Sequence, residues 1–262
     1  MSVLDLTITN HVATLVIRSA APKNAIDIQV VREMHHCLEE IRKAGPSVRA
    51  LVITGSDGIF CSGVDLHSVD LATPEGRQQA HAELRRFLDP LVLRFGELPY
   101  PIVAAVNGPA VGAGMSLALV SDIIVIAEDA FLWPSFARLG VVPDAGVTSR
   151  LARRIGGGRA LSTLLLAEKI DAKTALEWGL VYAVVPPVDV LNTAQAVAQR
   201  LAAGPRSVIS QIRQLSASAF DNSLAEQLRA ERSAQERTLD AHECFEGVRA
   251  FFEKRDPNFL PR

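Results

Sequence analysis

Residues 107–118 read NGPAVGAGMSLA, a stretch that is rich in glycine and has few bulky side chains. It follows an apolar, β-branched run, Ile102–Val106, which predicts a buried strand that ends at the Asn107-Gly108 turn. Glycine flanks Ala113 on both sides, at the point where a helix of small residues is expected to begin. The first N–H groups of a helix lack partners within it, and the helix dipole is positive there. The stretch therefore predicts a position that stabilises an anion, or an oxygen that gains negative charge.

A second stretch, residues 59–66, reads IFCSGVDL and shares these features. It follows another apolar run, 49–54, and the turn sequence GSDG at 55–58. Few bulky side chains would cover its backbone, so its N–H groups are also expected to be available to bind a ligand. Taken separately, the glycines of either stretch could simply allow a helix to pack closely on a sheet. The presence of two such stretches in one chain favours a shared binding site.

The flanking sequence predicts alternating strands and helices. Residues 4–9 and 12–18 are β-branched runs that predict a hairpin, and a helix is expected from its N-cap, Asp27, to the stop signal Gly45-Pro46. Further strands are predicted at 49–54, 102–106, 122–127 and 181–185, and helices at 78–88, 148–155, 159–166, 191–203, 205–218, 224–239 and 244–254. We therefore expect an α/β core over residues 1–200 and a helical C-terminal region over residues 201–262.

Composition argues against several classes of protein. The 262 residues include 48% hydrophobic and 21% charged residues, and the net charge of −2 predicts no attraction to nucleic acid or to anionic membranes. The N-terminus is typical of strands rather than of a signal peptide, and the apolar runs are too short to span a membrane. The three cysteines lie far apart, and the six histidines form no metal-binding motif. We expect free thiols, a cytoplasmic location and no metal site.

Two other chemistries are also not supported by motifs. Residues 112–117, GAGMSL, begin like a dinucleotide-binding fingerprint but lack its third glycine. No G-x-S-x-G motif is present, and Cys61-Ser62-Gly63 has no clear histidine and acid arrangement around it. We therefore expect neither NAD binding nor a hydrolase triad.

The two glycine-containing stretches resemble the signature segments of the crotonase, or enoyl-CoA hydratase/isomerase, superfamily, which read approximately F-x-x-G-x-D-L/I and N-G-x-A/C-x-G-G/A-G. The resemblance extends to PKNA at 22–25, SDI at 121–123, AEKI at 167–170, WGLV at 178–181 and FFEKR at 251–255, and so covers nearly the whole chain. It implies an α/β fold, a spiral of ββα units with a helical C-terminal extension. It also implies assembly as a homotrimer or homohexamer.

The resemblance further implies an acyl-CoA thioester substrate, with no cofactor beyond its CoA moiety. The thioester oxygen would accept hydrogen bonds from the backbone N–H groups of Val64 and Ala113, which stabilise the negative charge that develops there during reaction. The CoA chain would lie along Lys23, Ala25, Ser62, Gly63 and Leu66. Lys254 would reach the CoA of a neighbouring subunit.

Departures from the family pattern bear on the type of reaction. Hydratases of the family position water with two glutamates, and the matching positions here are Ser116 and either Phe136 or the neighbouring Ser135. None of these side chains is a carboxylate. Asp144, in the sequence VPDAG at 142–146, matches the acidic base of ring-epoxyphenylacetyl-CoA isomerases and of some 3-enoyl-CoA isomerases. One carboxylate suffices to move a proton between two carbons, so an isomerase that uses Asp144 is the expected function.

Other functions stay open at this point. The chain could be a hydratase-like lyase, an aroyl-CoA dehalogenase with Asp144 as nucleophile and His81 as its histidine, or a non-catalytic CoA-binding or scaffold protein. In the last case Asp144 would only form a turn or cap the next helix. Side chains that could line an acyl pocket are Leu71, Leu84, Leu88, Leu132, Trp133 and Phe136.

Overall fold

The computed structural model describes residues 2–19 and 22–260, and its main element there is a six-stranded sheet. The strands follow the order β1-β2-β3-β4-β6-β9 across the sheet, and only β1 pairs with its neighbour in antiparallel direction. Their bounds are β1 Leu4–Thr9, β2 Val12–Ile17, β3 Ala50–Gly55, β4 Ile102–Val106, β6 Ile123–Ala127 and β9 Ala183–Val185. The predicted hairpin, the buried strands and the α/β class are therefore confirmed.

A second sheet of three short strands lies beside the first. It contains β5 (Ala110–Val111), β7 (Phe131–Trp133) and β8 (Ile170–Asp171). None of these strands is predicted from the sequence, because two or three residues are too few to establish an alternating pattern. The order of strands and helices in space nevertheless agrees with the spiral of ββα units.

Eleven α-helices are present in the described residues. They are α1 Ile28–Ala44, α2 Pro74–Glu83, α3 Asp89–Glu97, α4 Ala113–Leu119, α5 Val147–Ile155, α6 Gly157–Leu166, α7 Ala172–Glu177, α8 Val190–Ala203, α9 Arg206–Ser218, α10 Leu224–Leu239 and α11 His242–Glu253. Helix α1 begins as predicted, because the Asp27 carboxylate accepts a hydrogen bond from the Val30 N–H at 2.8 Å. Helix α8 packs on β2, β3, β4 and β6, and α9 to α11 follow it. None of the described helices is long and apolar enough to cross a membrane.

The predicted helix at 78–88 is part of a longer helical segment. Helices α2 and α3 are joined by a π-helical turn at Leu84–Leu88, so that Asp89 donates its backbone N–H to the carbonyl of Leu84, five residues earlier. Pro90 follows and has no N–H to donate. The extra residue of the π turn changes which side chains of α3 face the protein interior.

Close backbone contacts hold the ends of β3 and β4 together. The amide of Asn107 donates to the carbonyl of Gly55 at 2.9 Å. Gly108 lies so close to the turn after β3 that a Cβ atom on it would be 1.8 Å from the carbonyl oxygen of Gly58. Only glycine fits there, since that neighbour is backbone and not a side chain that could turn away.

Substitution of Gly108 by alanine should therefore destabilise the protein. We expect Gly108→Ala to lower the free energy of unfolding by about 1–3 kcal/mol, the usual effect of overpacking. Gly96→Ala is the matched control, because Gly96 lies in α3 and no atom would come within 4 Å of a Cβ placed on it; alanine in a helix is expected to stabilise. Urea unfolding of both variants measures the difference, and equal stability of Gly108→Ala and the native chain would contradict the packing argument.

Candidate active site

Three segments meet at the carboxyl ends of β3 and β4. The N–H of Cys61 donates to the carbonyl of Pro109 at 3.1 Å, and the N–H of Val111 donates to the carbonyl of Cys61 at 2.9 Å. The N–H of Ile26 donates to the carbonyl of Gly63 at 2.7 Å. The stretches 59–66 and 107–118 therefore lie side by side, as the sequence suggests, and the segment before α1 joins them.

Gly63 brings the backbone of the two stretches into contact. Its φ of 94° is one that side chains disfavour. A Cβ atom on it would lie 2.8 Å from the carbonyl oxygen of Val111 and 3.6 Å from the backbone nitrogen of Ala113. The turn that contains Gly63 and Val64 thus borders the first residue of α4.

Two backbone N–H groups at this border have no acceptor within the described part of the chain, those of Val64 and Ala113. Ile26 bonds to the carbonyl of Gly63 and to the N–H of Asp65, as in a parallel ladder, so the N–H of Val64 between them points to the other side. Ala113 opens α4, where an N–H has no partner within the helix. The geometry provides two free donors on adjoining backbone.

An apolar cavity lies next to Ala113. It is narrow and opens to solvent. It is lined by Ile26, Val31, Met34, Leu88, Leu91, Val92, Phe95, Ala113, Leu117, Val120 and Ala145. The lining residues come mainly from α1, α3 and α4, and all of them are apolar. The cavity is therefore suited to an apolar group of a ligand whose oxygen accepts a hydrogen bond from the N–H of Ala113.

Most of the side chains predicted to line an acyl pocket lie elsewhere. Leu88 does line the cavity, but Leu132 and Phe136 belong to the buried core, and Leu71 is exposed. The indole N–H of Trp133 donates to the carbonyl of Ala167 at 2.8 Å. Leu84, at the start of the π turn, is also not among the lining residues. Leu132 and Phe136 are thus ordinary core residues, the alternative that the sequence also allows, and much of the cavity wall comes from α3.

Asp144 lies in the loop before α5, next to Ala145 of the cavity wall. Its Oδ1 atom is buried and has no hydrogen-bond partner in the described residues. Burial raises the pKa of its carboxyl above the ordinary aspartate value, and the negative charge of Asp89 raises it further. The side chain does not cap α5, because the residue before that helix is Gly146 and no side chain bonds to the first turn. A purely local role for this carboxyl is therefore not supported.

Ser116 joins α4 to the Asp144 loop. It is fully buried, and its hydroxyl lies 3.4 Å from the carbonyl oxygens of both Gly112 and Asp144. Ser135 has its hydroxyl 3.5 Å from the place that a Cβ would take on Gly112, whereas Phe136 is in the core. Ser116 thus has a hydroxyl bound to backbone, and Ser135 and Phe136 begin a 3-10 helix, Ser135–Leu139; none of the three supplies a carboxylate where a hydratase would have its glutamates.

The residues expected along the CoA chain are largely brought together. The carbonyl of Lys23 accepts from the N–H of Ser62 at 3.2 Å, and Ala25 and Gly63 are buried in the same junction. Leu66 lies just beyond, half exposed at 49%.

Two further residues suggested by the sequence lie away from this junction. Lys254 is exposed at the end of α11, and no hydrogen bond or ion pair joins it to these residues in the part of the chain that the structure describes. His81 is exposed on α2 and does not line the cavity.

Fold and site together define a protein of the crotonase superfamily. Residues 7–262 match the family model described as enoyl-CoA hydratase/isomerase, and the chain belongs to this family. The 1,2-epoxyphenylacetyl-CoA isomerase of Escherichia coli (strain K12) is 35% identical over 95% of this chain and 94% of its own length. A "Probable enoyl-CoA hydratase" of Rhodobacter capsulatus is 38% identical over 87% of each chain. The crystal structure of an enoyl-CoA hydratase from Bacillus anthracis superposes with a TM-score of 0.91 at 28% identity, covering 99% of this chain and 100% of that one.

The buried Asp144 carboxyl should destabilise the fold where it is charged. Its pKa is higher in the folded protein than in the unfolded chain, so stability present at low pH is lost as the pH rises through the folded pKa. Asparagine cannot ionise, and Asp144→Asn is therefore expected to be more stable than the native chain at pH 8, with the difference shrinking toward pH 4. Thermal unfolding across this pH range measures it, with Asp129→Asn, on an exposed turn, as control. A native chain at least as stable as Asp144→Asn at pH 8 would contradict the prediction.

Proposed function

We propose that this protein isomerises an acyl-CoA, with Asp144 as the base and an enolate as the intermediate. The family membership supports an acyl-CoA substrate. The observation that carries the isomerase proposal is the buried, unpartnered Oδ1 of Asp144 beside the cavity wall, in a chain that has serine at position 116.

The N–H groups of Val64 and Ala113 would hold the thioester oxygen. Removal of a proton from the carbon next to the thioester moves the electron pair of the C–H bond toward this oxygen, which becomes negatively charged. Preorganised donors stabilise that charge, each by about 3–4 kcal/mol. Both N–H groups are without an acceptor in the described chain, so they are available for this role.

Asp144 would take the proton and return it to another carbon. A carboxyl with a raised pKa is a stronger proton acceptor than an ordinary aspartate, and it also gives the proton back when the enolate collapses. No water has to be activated in this sequence of steps, so a second carboxylate is not required. The apolar cavity beside Ala113 and Ala145 would receive the acyl group and exclude water.

A hydratase is the second candidate, because the Rhodobacter capsulatus relative has that name. The absence of a carboxylate at positions 116, 135 and 136 argues against it. The dehalogenase interpretation is weaker, since His81 is exposed on α2 and is not part of the cavity. A non-catalytic role is disfavoured because Asp144 does not cap α5.

The activity is tested with purified protein and three substrates: a 3-enoyl-CoA, a 2-enoyl-CoA and epoxyphenylacetyl-CoA. We expect isomerisation of the first or the third, and a loss of kcat of about 100- to 10,000-fold in Asp144→Asn, the usual effect of removing a general base. Asp129→Asn is expected to keep native activity. Full activity of Asp144→Asn would overturn the assignment of the base, and hydration of 2-enoyl-CoA alone would favour the hydratase.

We further propose that CoA lies along Lys23, Ala25, Ser62, Gly63 and Leu66, and that residues 201–262 form the contacts of a homotrimer or homohexamer. Large apolar side chains of this region are exposed, namely Leu224, Leu228, Leu239, Phe245, Phe251 and Phe252. Exposed apolar side chains of this kind favour association with another protein surface. Lys254, next to two of these phenylalanines, would contact the CoA held by a neighbouring subunit. The free cysteines Cys37, Cys61 and Cys244 agree with a cytoplasmic location.

A variant that cannot assemble should therefore also bind CoA more weakly. We expect Phe251→Glu combined with Phe252→Glu to reduce the mass measured by light scattering to that of a monomer and to raise KM for acyl-CoA. Lys254→Ala should leave the native mass unchanged and raise KM with little change in kcat, because the lysine would bind a part of CoA that does not react. A monomeric native protein, or an unchanged KM in Lys254→Ala, would contradict the proposal.

A further inference from the structure

Asp89 is a second carboxylate close to the loop of Asp144. It is the first residue of α3, directly after the π turn, and its side chain is exposed. Neither Asp89 nor Asp144 forms an ion pair in the described part of the chain. Both carboxyls are thus without an ion-pair partner, and each is next in sequence to a residue of the cavity wall, Leu88 or Ala145.

The first turn of α3, which begins at Asp89, lies next to this loop. Val92 follows Asp89 by three residues and therefore shares its face of the helix. Val92 lines the cavity together with Leu88 and Ala145, and its Cγ1 atom lies 3.9 Å from the place that a Cβ would take on Gly146. The first turn of α3 consequently packs against residues 144–146.

The position of Asp89 is held by the fold. Pro90 cannot donate a hydrogen bond, and the Asp89 N–H bonds to Leu84 in the π turn. Nε2 of His35 on α1 donates to the carbonyl of Phe87, at 2.9 Å. This bond attaches the end of the π turn to a neighbouring helix, so the backbone that leads into Asp89 is held in place.

The other groups that surround Asp144 are mostly uncharged. Helices α1 and α4 contribute Met34 and Leu117, among other apolar side chains, to the cavity, and Ser116 bonds to the Asp144 carbonyl. From α5, Nε of Arg150 lies 3.6 Å from the place of a Cβ on Gly146. On the helical segment of Asp89 itself, Arg85 and Arg86 are exposed. Burial of Asp144 and the charge of Asp89 act in the same direction, since both disfavour the charged form of Asp144.

We propose that Asp89 is a positioning residue that keeps the transferred proton on Asp144 between its removal from substrate and its return. This inference rests on the proposed role of Asp144 as base. In the first step the C–H bond breaks, its electron pair moves into the enolate, and the proton binds a carboxylate oxygen of Asp144. In the second step that O–H bond breaks, the proton bonds to a different carbon, and the enolate reverts to the thioester. Between these steps the negative charge of Asp89 favours neutral Asp144 and opposes release of the proton to water.

The test is the pH profile of kcat/KM for Asp89→Asn. Without the charge, Asp144 becomes more acidic, so the acid limb should shift to lower pH, and kcat at neutral pH should fall about 3- to 10-fold because a weaker base transfers the proton more slowly. In deuterated water, the product of Asp89→Asn should carry more solvent deuterium than that of the native enzyme. Asp89→Glu should restore the native acid limb, and Glu97→Gln, an exposed acid at the other end of α3, is the control that should change nothing.

Each result distinguishes this inference from the proposed function. An inactive Asp144→Asn together with an unshifted acid limb in Asp89→Asn would overturn the role of Asp89 alone. A fully active Asp144→Asn would overturn both. A lower kcat in Asp89→Asn with an unshifted limb, not rescued by Asp89→Glu, would show a merely structural role and would also overturn the inference. If Asp89→Asn does not fold, the acid limb of Asp89→Glu decides, and a limb displaced from the native one would count against the proposal.

Discussion

The hydrogen bonds between Cys61 and the start of the small sheet are the constraint on which the site depends. The N–H of Cys61 donates to Pro109, and its carbonyl accepts from Val111. These bonds can form only if the backbones approach closely, and a Cβ on Gly114 would lie 2.2 Å from the Cys61 carbonyl oxygen. The glycines therefore let two strand ends supply adjoining N–H groups. The N–H of Val64 stays free because it points away from the parallel ladder, and the N–H of Ala113 stays free because it lies in the first turn of α4.

The same arrangement keeps an acid in an unfavourable environment. The Oδ1 atom of Asp144 is buried without a partner, which destabilises the folded state whenever the carboxyl is charged. Strong packing of the surrounding core can hold such a group in place. A buried carboxyl with a raised pKa next to an apolar cavity is typical of a residue retained for chemistry rather than for stability.

Much of the fold follows from patterns of a few residues that the sequence displays directly. Helix α1 begins at its predicted N-cap, Asp27, and β4 and α10 have the predicted bounds, because a cap or an uninterrupted apolar run is local information. Strands β5, β7 and β8 were missed, since pairs of such short strands are stabilised only by their neighbours in space. The residues of the cavity wall could not be told from those of the core, because an apolar residue has the same pattern in both, and the π turn at Leu84–Leu88 is not visible in the sequence.

The sequence by itself determined the α/β class, the family resemblance and the two stretches around Val64 and Ala113, since glycine spacing and small residues are required by backbone contacts. It also identified Asp144 as an acid in a distinctive loop. The three-dimensional structure was needed to show that Oδ1 of Asp144 is buried without a partner, that the side chain does not cap α5, and that the charge of Asp89, 55 positions earlier in the chain, raises the pKa of Asp144. The physical reason is that desolvation and the field of a nearby charge depend on distance in space, which no local pattern of residues encodes.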